Sequence, residues 1–367
     1  HKQCLTTLTQ FPTMLKNYFT TALRNLKANK FYSTVNISGL AVGLATVIML
    51  LLWVQNEFSY DKFNRKYKNI YQVNSHITFL DGKTLAWQGV PGPLSIWAKK
   101  IPEVISVVRL VSDNENPTLS DKVLSNIDQT KVFDNNNIVY ADGNLLSVFN
   151  YELLHGNRNT FLPNAYSAAL TQSTAKKLFG TDDAIGKIIR FDKTSFTVTA
   201  VLQDFPHNSS LRYDAIFPVD YYAHQFTANG GNHGWKTIDE DINDYSFRTF
   251  LLLNPNANTS TIEKKLTHLF NSTGNGQAPT AFQLQNLGDL HLTGIDGNNS
   301  ALQTVRIIAL VAILILIMAS INYVNLSTAR ALTRIREVSI KKIIGAKRSQ
   351  LFLQFITETV LTFGFAI

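Results

Sequence analysis

The stretch VNISGLAVGLATVIMLLLWV, residues 35–54, and its counterpart IIALVAILILIMASINYVNLSTA, residues 307–329, decide the fold. No charged side chain falls within 31–56 or within 307–329. A helix rises about 1.5 Å per residue, so about 20 apolar residues cross a hydrocarbon core of about 30 Å. The rival reading of the first run is a cleaved signal peptide. Such a peptide has an apolar core of about 7–15 residues and a small-x-small cleavage site, whereas this run is longer and no such site follows it. The rival reading of the second is a buried soluble helix, but it offers no polar face. Both are therefore expected to span a membrane. A third apolar stretch, Leu351 to Ile367, is broken only by Glu358 and stops with the sequence. The expectation is a chain cut within a third membrane helix, the N-terminal portion of a longer protein.

Working outward, the composition agrees. Hydrophobic residues make up 45% of the 367 and charged residues only 16%, against about 25% charged in soluble domains. The net charge is +8, but it is unevenly placed. Residues 1–57 hold five basic side chains and one acid, and 305–367 hold eight and two. The region between holds 21 and 23, a net −2. Basic flanks beside apolar runs mark cytoplasmic ends, whereas a nucleic-acid binder would carry its charge on a folded surface. Residues 58–304 are accordingly expected outside. Cys4 is the single cysteine, so no intramolecular disulfide and no cysteine metal cluster can form.

Two basic elements flank the spans. In MLKNYFTTALRNLKANK, residues 14–30, apolar positions 15, 18, 19, 22, 23 and 26 oppose Lys16, Arg24 and Lys27. This is an amphipathic helix for the membrane interface, either bracing the cytoplasmic face or simply anchoring the topology. After the second span, ARALTRIREVSIKKIIGAKRSQLFLQFITE, residues 329–358, continues as a helix with a charged face. Gly345 permits a helix stop, and a new apolar run follows at once. Within the first span, Gly39 and Gly43 form GxxxG, a spacing that lets helices approach closely. Glu358 is either the partner of a basic residue at the helix–stalk junction or an interfacial residue.

The region 58–304 reads as mixed α/β. IYQVNSHITF (70–79) and EVISVVRLV (103–111) suit strands, and Leu94–Ile101 is a helix between Pro93 and Pro102. Thr171–Phe179 is a helix closed by Gly180, and 187–191 with 196–201 form a hairpin joined through Asp192 and Lys193. Ser260 with Glu263 suggests a capping box for a helix ending near Phe270. Stretches 227–234 and 271–279 read as loops, and 111–160 with 219–245 as the divide between two lobes.

The segment REVSIKKIIGAKRSQLFLQFITE resembles the signature of FtsX-like and MacB-type ABC transporter permeases. The match takes in Arg336, Glu337, Ile340, Lys341, Lys342, Gly345, Ala346 and Glu358. FSYDKF (58–63), KLFGTDDAIGK (177–187), VLQDFPHNSSL (201–211) and DLHL (289–292) resemble recurring pieces of the MacB-type periplasmic core domain. The resemblance implies a membrane protein with α-helical spans and a large mixed α/β (α+β) extracytoplasmic domain inserted between the first two. It implies a stalk and coupling helix in which Arg336, Glu337, Lys341, Lys342, Gly345 and Ala346 couple to an ABC-type ATPase subunit. It further implies a homodimer or pseudo-dimer of permease units, contact with membrane lipid, a periplasmic adaptor, and the bacterial inner membrane. The expected division is 1–34 cytoplasmic tail, 35–57 first span, 58–304 periplasmic core with two subdomains, 305–329 second span, 330–350 stalk and coupling helix, and 351–367 the start of a third span.

Catalytic motifs are missing from the sequence. TDDAIGKI, residues 181–188, lacks the first glycine of a phosphate loop and has Ile188 where Ser or Thr would hold magnesium. No HExxH and no GxSxG occurs; His224 and His233 near Asp239–Asp241 are the one gathering of metal-capable residues. No catalytic residue, cofactor or metal is assigned, and ATP hydrolysis is expected on a partner. The function expected is a permease that transmits ATP-driven motion to its periplasmic domain for export, extraction or signalling. The alternative is a membrane-anchored sensor receptor with a periplasmic ligand-binding domain. A receptor would continue into a cytoplasmic signalling domain, whereas this chain returns to the membrane after residues 330–350. A membrane-anchored enzyme is a third class.

Overall fold

The structure is a computed structural model. It describes residues 17, 19–24, 26–28, 30–112, 123–133, 137–232, 234–274, 276, 278–346 and 348–366, with the backbone alone at 330–334, 336 and 337. The chain forms two compact units, one of residues up to Asn56 together with Gln303–Ile367, the other Glu57–Leu302.

In the first unit lie most of α1 (Lys30–Phe58), most of α7 (Ser300–Ile343) and α8 (Arg348–Ala366). Residues 17, 19–24 and 26–28 of the amphipathic stretch are helical, and 1–16, 18, 25 and 29 lie outside the described residues. Only 11% of the apolar window of α1 and 6% of that of α7 is buried. A soluble core helix would be covered, so these faces suit lipid. The covered stripe of α1 is Ser33, Asn36, Leu40 and Val47, spaced by a turn or two. On α8 it is Leu351, Gln354, Glu358, Thr362 and Ala366. Tyr323 of α7 donates to Thr359 Oγ1 at 3.0 Å and packs edge-on against Phe363, which holds α8 to α7. Glu358 is thus on the protein-covered face rather than at an exposed interfacial position.

The second unit is built on one 13-stranded mixed sheet. Its path runs β13 (Thr280–Asn286), β1 (Ile70–Thr78), β12 (Arg248–Leu253), β3 (Val104–Ser112), β6 (Ile138–Ala141), β11 (Ala215–Pro218), β8 (Ser167–Thr171), β10 (Thr194–Leu202), β9 (Ile188–Phe191), β4 (Leu124–Asn126) and β5 (Val132–Phe133). The short strands β2 (Thr84–Trp87) and β7 (Leu153–Gly156) pair with β1 and β10. The β8–β10 and β6–β11 pairs are parallel, the rest antiparallel. Helices α2 (Leu94–Lys99) and α6 (Thr259–Ser272) cover the end holding β1, β3, β12 and β13 through Leu94, Ala98, Ile262, Leu266 and Phe270. Helices α4 (Gln172–Phe179) and α5 (Val219–Ala228) cover the other end, around Phe191, Phe196 and Phe217. The opposite face is filled from the short helix α3 (Leu145–Val148) and from Phe149, Phe161 and Phe250.

Local chemistry fixes the element ends. Gly180 sits at φ +75° and donates to Lys176 O, closing α4 as expected of a left-handed cap. The β9–β10 hairpin turns through Asp192 at φ +52°. The capping box at Ser260 and Glu263 is corrected. Asn258 is the N-cap, accepting from Thr261 N, and Glu263 Oε1 instead accepts from Leu284 N on β13. Asparagine is as good a cap as serine, and the glutamate gains more by tying its helix to the sheet.

Candidate functional site

The chain enters the second unit from α1 and leaves it into α7. Glu57 and Phe58 end α1; a tight segment of turns, 59–66, follows, while 287–299 precedes α7. The segments FSYDKF, VLQDFPHNSSL and DLHL meet at this joint although the last two lie about 150 and 230 residues beyond the first. His291 Nε2 lies 2.6 Å from Glu57 Oε2, with side chains 29% and 16% exposed. The His291 ring stacks on Tyr60 at 3.4 Å between centroids and 2° between planes. Asn208 donates from Nδ2 to Ser59 Oγ at 2.9 Å, and Asp61 N donates to Asn208 O at 2.8 Å.

Asp61 is the most constrained residue of the joint. It is buried and held at φ +58°, a left-handed conformation that costs an L-residue roughly 1–2 kcal/mol, least for Asp and Asn. Oδ1 accepts from Ser210 N at 2.9 Å and from Ser209 Oγ at 3.4 Å, and Oδ2 has no partner among the described residues. Burial raises its pKa above 3.8, against the lowering effect of the two serines and of His291. Asn64 extends the joint, taking Asn150 N on its Oδ1.

A chain of side-chain amides links the same region to the sheet. Arg248 Nη2 donates to Gln72 Oε1 at 2.7 Å, Gln72 to Asn74 Oδ1 at 2.7 Å, Asn74 to Gln285 Oε1 at 2.9 Å, and Gln285 to Thr293 O at 2.7 Å. Each amide donates onward, so β12, β1, β13 and the segment before α7 form one polar string with few alternative arrangements. The sequence reading missed these residues. Their one signal was the polar alternation Gln72, Asn74 in β1, which only the pairing with β13 makes meaningful.

A second polar cluster lies between β3, β6 and the 239–244 loop. Arg109 is buried, bonded to Asp142 through Nε and Nη2 and to Asp239 Oδ1 at 2.6 Å. Burial opposes its charge, but the two carboxylates overcome that and raise its pKa. Asp241 accepts from Asn232 and from Asn243 N, and Asp244 is bonded by Ser246. The aspartates that stand near His224 and His233 in the sequence, where no metal was assigned, thus hold an arginine and turn amides. His233 lies outside the described residues, and no group of three metal-capable side chains occurs among the described ones.

The residues singled out for coupling run along the last turns of α7 and into the α7–α8 turn. Arg336 and Glu337 lie in α7, their side chains outside the described residues. Lys341 Nζ reaches Gln354 Oε1 at 3.2 Å, and Lys342 is exposed. Gly345, at φ +97°, donates to Lys342 O, and Ala346 N donates to Lys341 O. These two bonds make a Schellman motif, which satisfies the last carbonyls of α7 and reverses the chain into α8 within a few residues. In the first span, a Cβ on Gly43 would sit 2.9 Å from Ala319 Cβ, and one on Gly39 would sit 3.3 Å from Asn322 Nδ2. The backbone of α1 at these glycines therefore packs against the side chains of Ala319 and Asn322 on α7.

Comparison with known proteins bears on the same regions. Residues 33–269 match the family model of the MacB-like periplasmic core domain, and 309–367 that of the FtsX-like permease C-terminal. The macrolide export ATP-binding/permease protein MacB of Bdellovibrio bacteriovorus is 24% identical over 198 residues, 53% of this chain and 28% of that protein. The Chromobacterium violaceum protein of the same description is 21% identical over 355 residues, 95% of this chain and 50% of that protein. The chain thus spans half or less of the length of these relatives. A crystallised domain of a permease protein from Porphyromonas gingivalis aligns over 61% of this chain and 92% of its own length, at 19% identity and a TM-score of 0.49. With two membrane-length helices around a large mixed domain, the chain belongs to the MacB-type, FtsX-like permease family and is a multi-pass inner-membrane protein whose mixed domain is periplasmic.

Proposed function

We propose that this chain is the part of an ABC transporter permease that carries motion from a separate cytoplasmic ATPase to the periplasmic domain. The observation that carries the reading is the continuity of α7. Its 44 residues correspond to about 66 Å at 1.5 Å per residue, about twice a hydrocarbon core. It begins at the joint segment and ends at the basic Schellman turn. A helix of this length without a break transmits displacement along its axis, and an exposed basic turn suits an acidic ATPase surface. In this reading Arg336, Glu337, Lys341, Lys342, Gly345 and Ala346 form the docking element. Gly39 and Gly43 keep α1 packed on α7, and 58–304 moves as two lobes sharing one sheet. The permease works as a homodimer or pseudo-dimer, and the periplasmic face takes an adaptor. The use is export, extraction of cargo already in the periplasm, or signalling.

The test is affinity purification of the full-length protein from native membranes with partners identified by mass spectrometry, beside Glu337→Ala and Gly345→Pro. Proline cannot adopt φ +97°, so the second variant removes the turn. Recovery of an ABC-type ATPase with the wild type, and its loss from both variants, supports the docking element. If no ATPase is recovered from intact membrane complexes, the reading fails and a sensor receptor takes its place.

A further inference from the structure

On the periplasmic unit, the C-terminal end of α2 and one stripe of α6 enclose a surface groove of about 650 Å³. That lies within the range of about 300–1,000 Å³ usual for small-molecule sites. Its floor is apolar: Ile101 is buried, Trp97 is half-buried with its ring edge-on to Phe270, and Leu269 remains 39% exposed. Lys100, Lys264 and His268 stand along the rim. Lys264 and His268 are one helical turn apart on α6, so they face the same side.

The charge of this rim runs against its setting. Residues 58–304 carry a net −2, yet the groove concentrates lysines. No acid lines the groove among the described residues, and Glu103 nearby is already held by Lys265 at 2.9 Å, which also lowers the Glu103 pKa. Among the described residues neither the Lys100 nor the Lys264 ammonium has an ion-pair or hydrogen-bond partner. A plain anion would leave the indole and leucine surface exposed to water, and a purely apolar ligand would leave both lysines unused. The two requirements are met together by an anionic head on an apolar tail.

We propose that this groove binds a water-soluble, single-tailed anionic amphiphile, a carboxylate or phosphate monoester on an alkyl or aryl tail. The tail lies over Trp97, Ile101 and Leu269, and the head is taken by Lys100 and Lys264. This goes beyond the coupling function and does not depend on it, since the groove is complete within the periplasmic unit.

The test uses the full chain in lipid nanodiscs and an octanoic acid carrying a diazirine, with adducts mapped by mass spectrometry. Labelling is expected on residues 97–102 and 261–269. Excess octyl phosphate, or the paired change Lys100→Glu with Lys264→Glu, is expected to reduce it about tenfold or more, since each charged head contact is worth about that factor. Octyl glucoside and inorganic phosphate leave it unchanged. Both lysines are exposed, so the charge reversal spares the core. Leu269→Ser, which leaves every charge in place, is expected to lower labelling as well. Adducts confined to α1, α7 and α8 would mean partition into lipid only and would overturn the proposal. Labelling that survives the charge reversal, or full protection by inorganic phosphate alone, also overturns it. So does protection by a co-purifying acidic protein that octyl phosphate cannot displace.

Discussion

Replacing Glu57 by Gln and His291 by Phe, singly and together, tests whether the two ends of the periplasmic unit are locked to each other. The Nε2–Oε2 distance is 2.6 Å and the two side chains are 29% and 16% exposed. A hydrogen bond to a charged group contributes roughly 1.5–3 kcal/mol, and partial solvent access argues for the lower end, about 1.5 kcal/mol. Phenylalanine at 291 keeps an aromatic ring against Tyr60, so the stacking, worth about 0.5–1.5 kcal/mol, is largely preserved and the polar contact is isolated. The reporters are the amides of Leu290, Leu292 and Thr293, which donate to Leu287 O, Asp289 O and Asp289 O. Hydrogen exchange of the full chain in nanodiscs, resolved by mass spectrometry, reads their opening. Either single change is expected to speed exchange of this segment about tenfold, the equivalent of about 1.4 kcal/mol. The double change is expected to add little more, because the contact is already lost. Acceleration below about threefold, or fully additive effects, would refute the lock.

Asp61→Asn tests the buried carboxylate. Its pKa is raised by burial, so the folded state disfavours the charge. The penalty is present above the folded pKa and disappears as pH falls through that value toward 3.8. The variant is therefore expected to be more stable than wild type at neutral pH, with the difference shrinking in acid. Thermal melts at several pH values check this, and a variant less stable at neutral pH contradicts it. Gly43→Ile drives a side chain into Ala319, which a Cβ alone would approach to 2.9 Å. A loss of about 1–3 kcal/mol is expected, partly restored by Ala319→Gly in melts of the purified chain. Arg109→Met takes the guanidinium from half-buried Asp142, leaving it only the backbone amide of residue 109, and is expected to cost about 3 kcal/mol. Adding Asp142→Asn should recover part of it, read by urea unfolding followed through near-ultraviolet circular dichroism.

The elements that local chemistry dictates were legible in the sequence. The spans followed from length and lack of charge, α4 from its Gly180 stop, and the β9–β10 hairpin from its short turn. Gly345 was legible for the same reason, since a left-handed cap is a local event. The joint was legible only as three fragments resembling a known family. What makes FSYDKF, VLQDFPHNSSL and DLHL a site is contact between residues 148 to 234 positions apart, and no period or spacing encodes that. The capping box failed for a related reason. Ser260 and Glu263 have the right spacing, but Glu263 had a better acceptor role on β13 than sequence alone can show. Asp239 and Asp241 stood out only as residues of metal-capable type, with no metal assigned, while their partners, Arg109 and Asn232, come from elsewhere in the chain or from the turn itself.

The arrangement of the joint constrains how force can reach the sheet. Were α7 attached only through a flexible segment, a displacement of its start would be absorbed by loop motion before reaching any strand. Instead, the segment before α7 is held at two points. Thr293 O receives the amide of Gln285, the last member of a string running back through Asn74 and Gln72 to Arg248 on β12. His291 is held by Glu57 and Tyr60, at the end of α1. The α1 end is held in turn through Asp61 and Ser59 to the 208–210 segment, which leads into β11. Motion at either helix end therefore loads both the β12–β1–β13 side of the sheet and the β11 side. Those are the two ends covered by separate helix pairs, so the expected response is a change of angle between them rather than a shift of the whole domain. A Gln285→Leu variant severs one path and leaves the other. Site-directed spin labels on α5 and α6 are then expected to show a narrower range of separations under ATP turnover. Unchanged separations would mean the amide string is structural and carries no load.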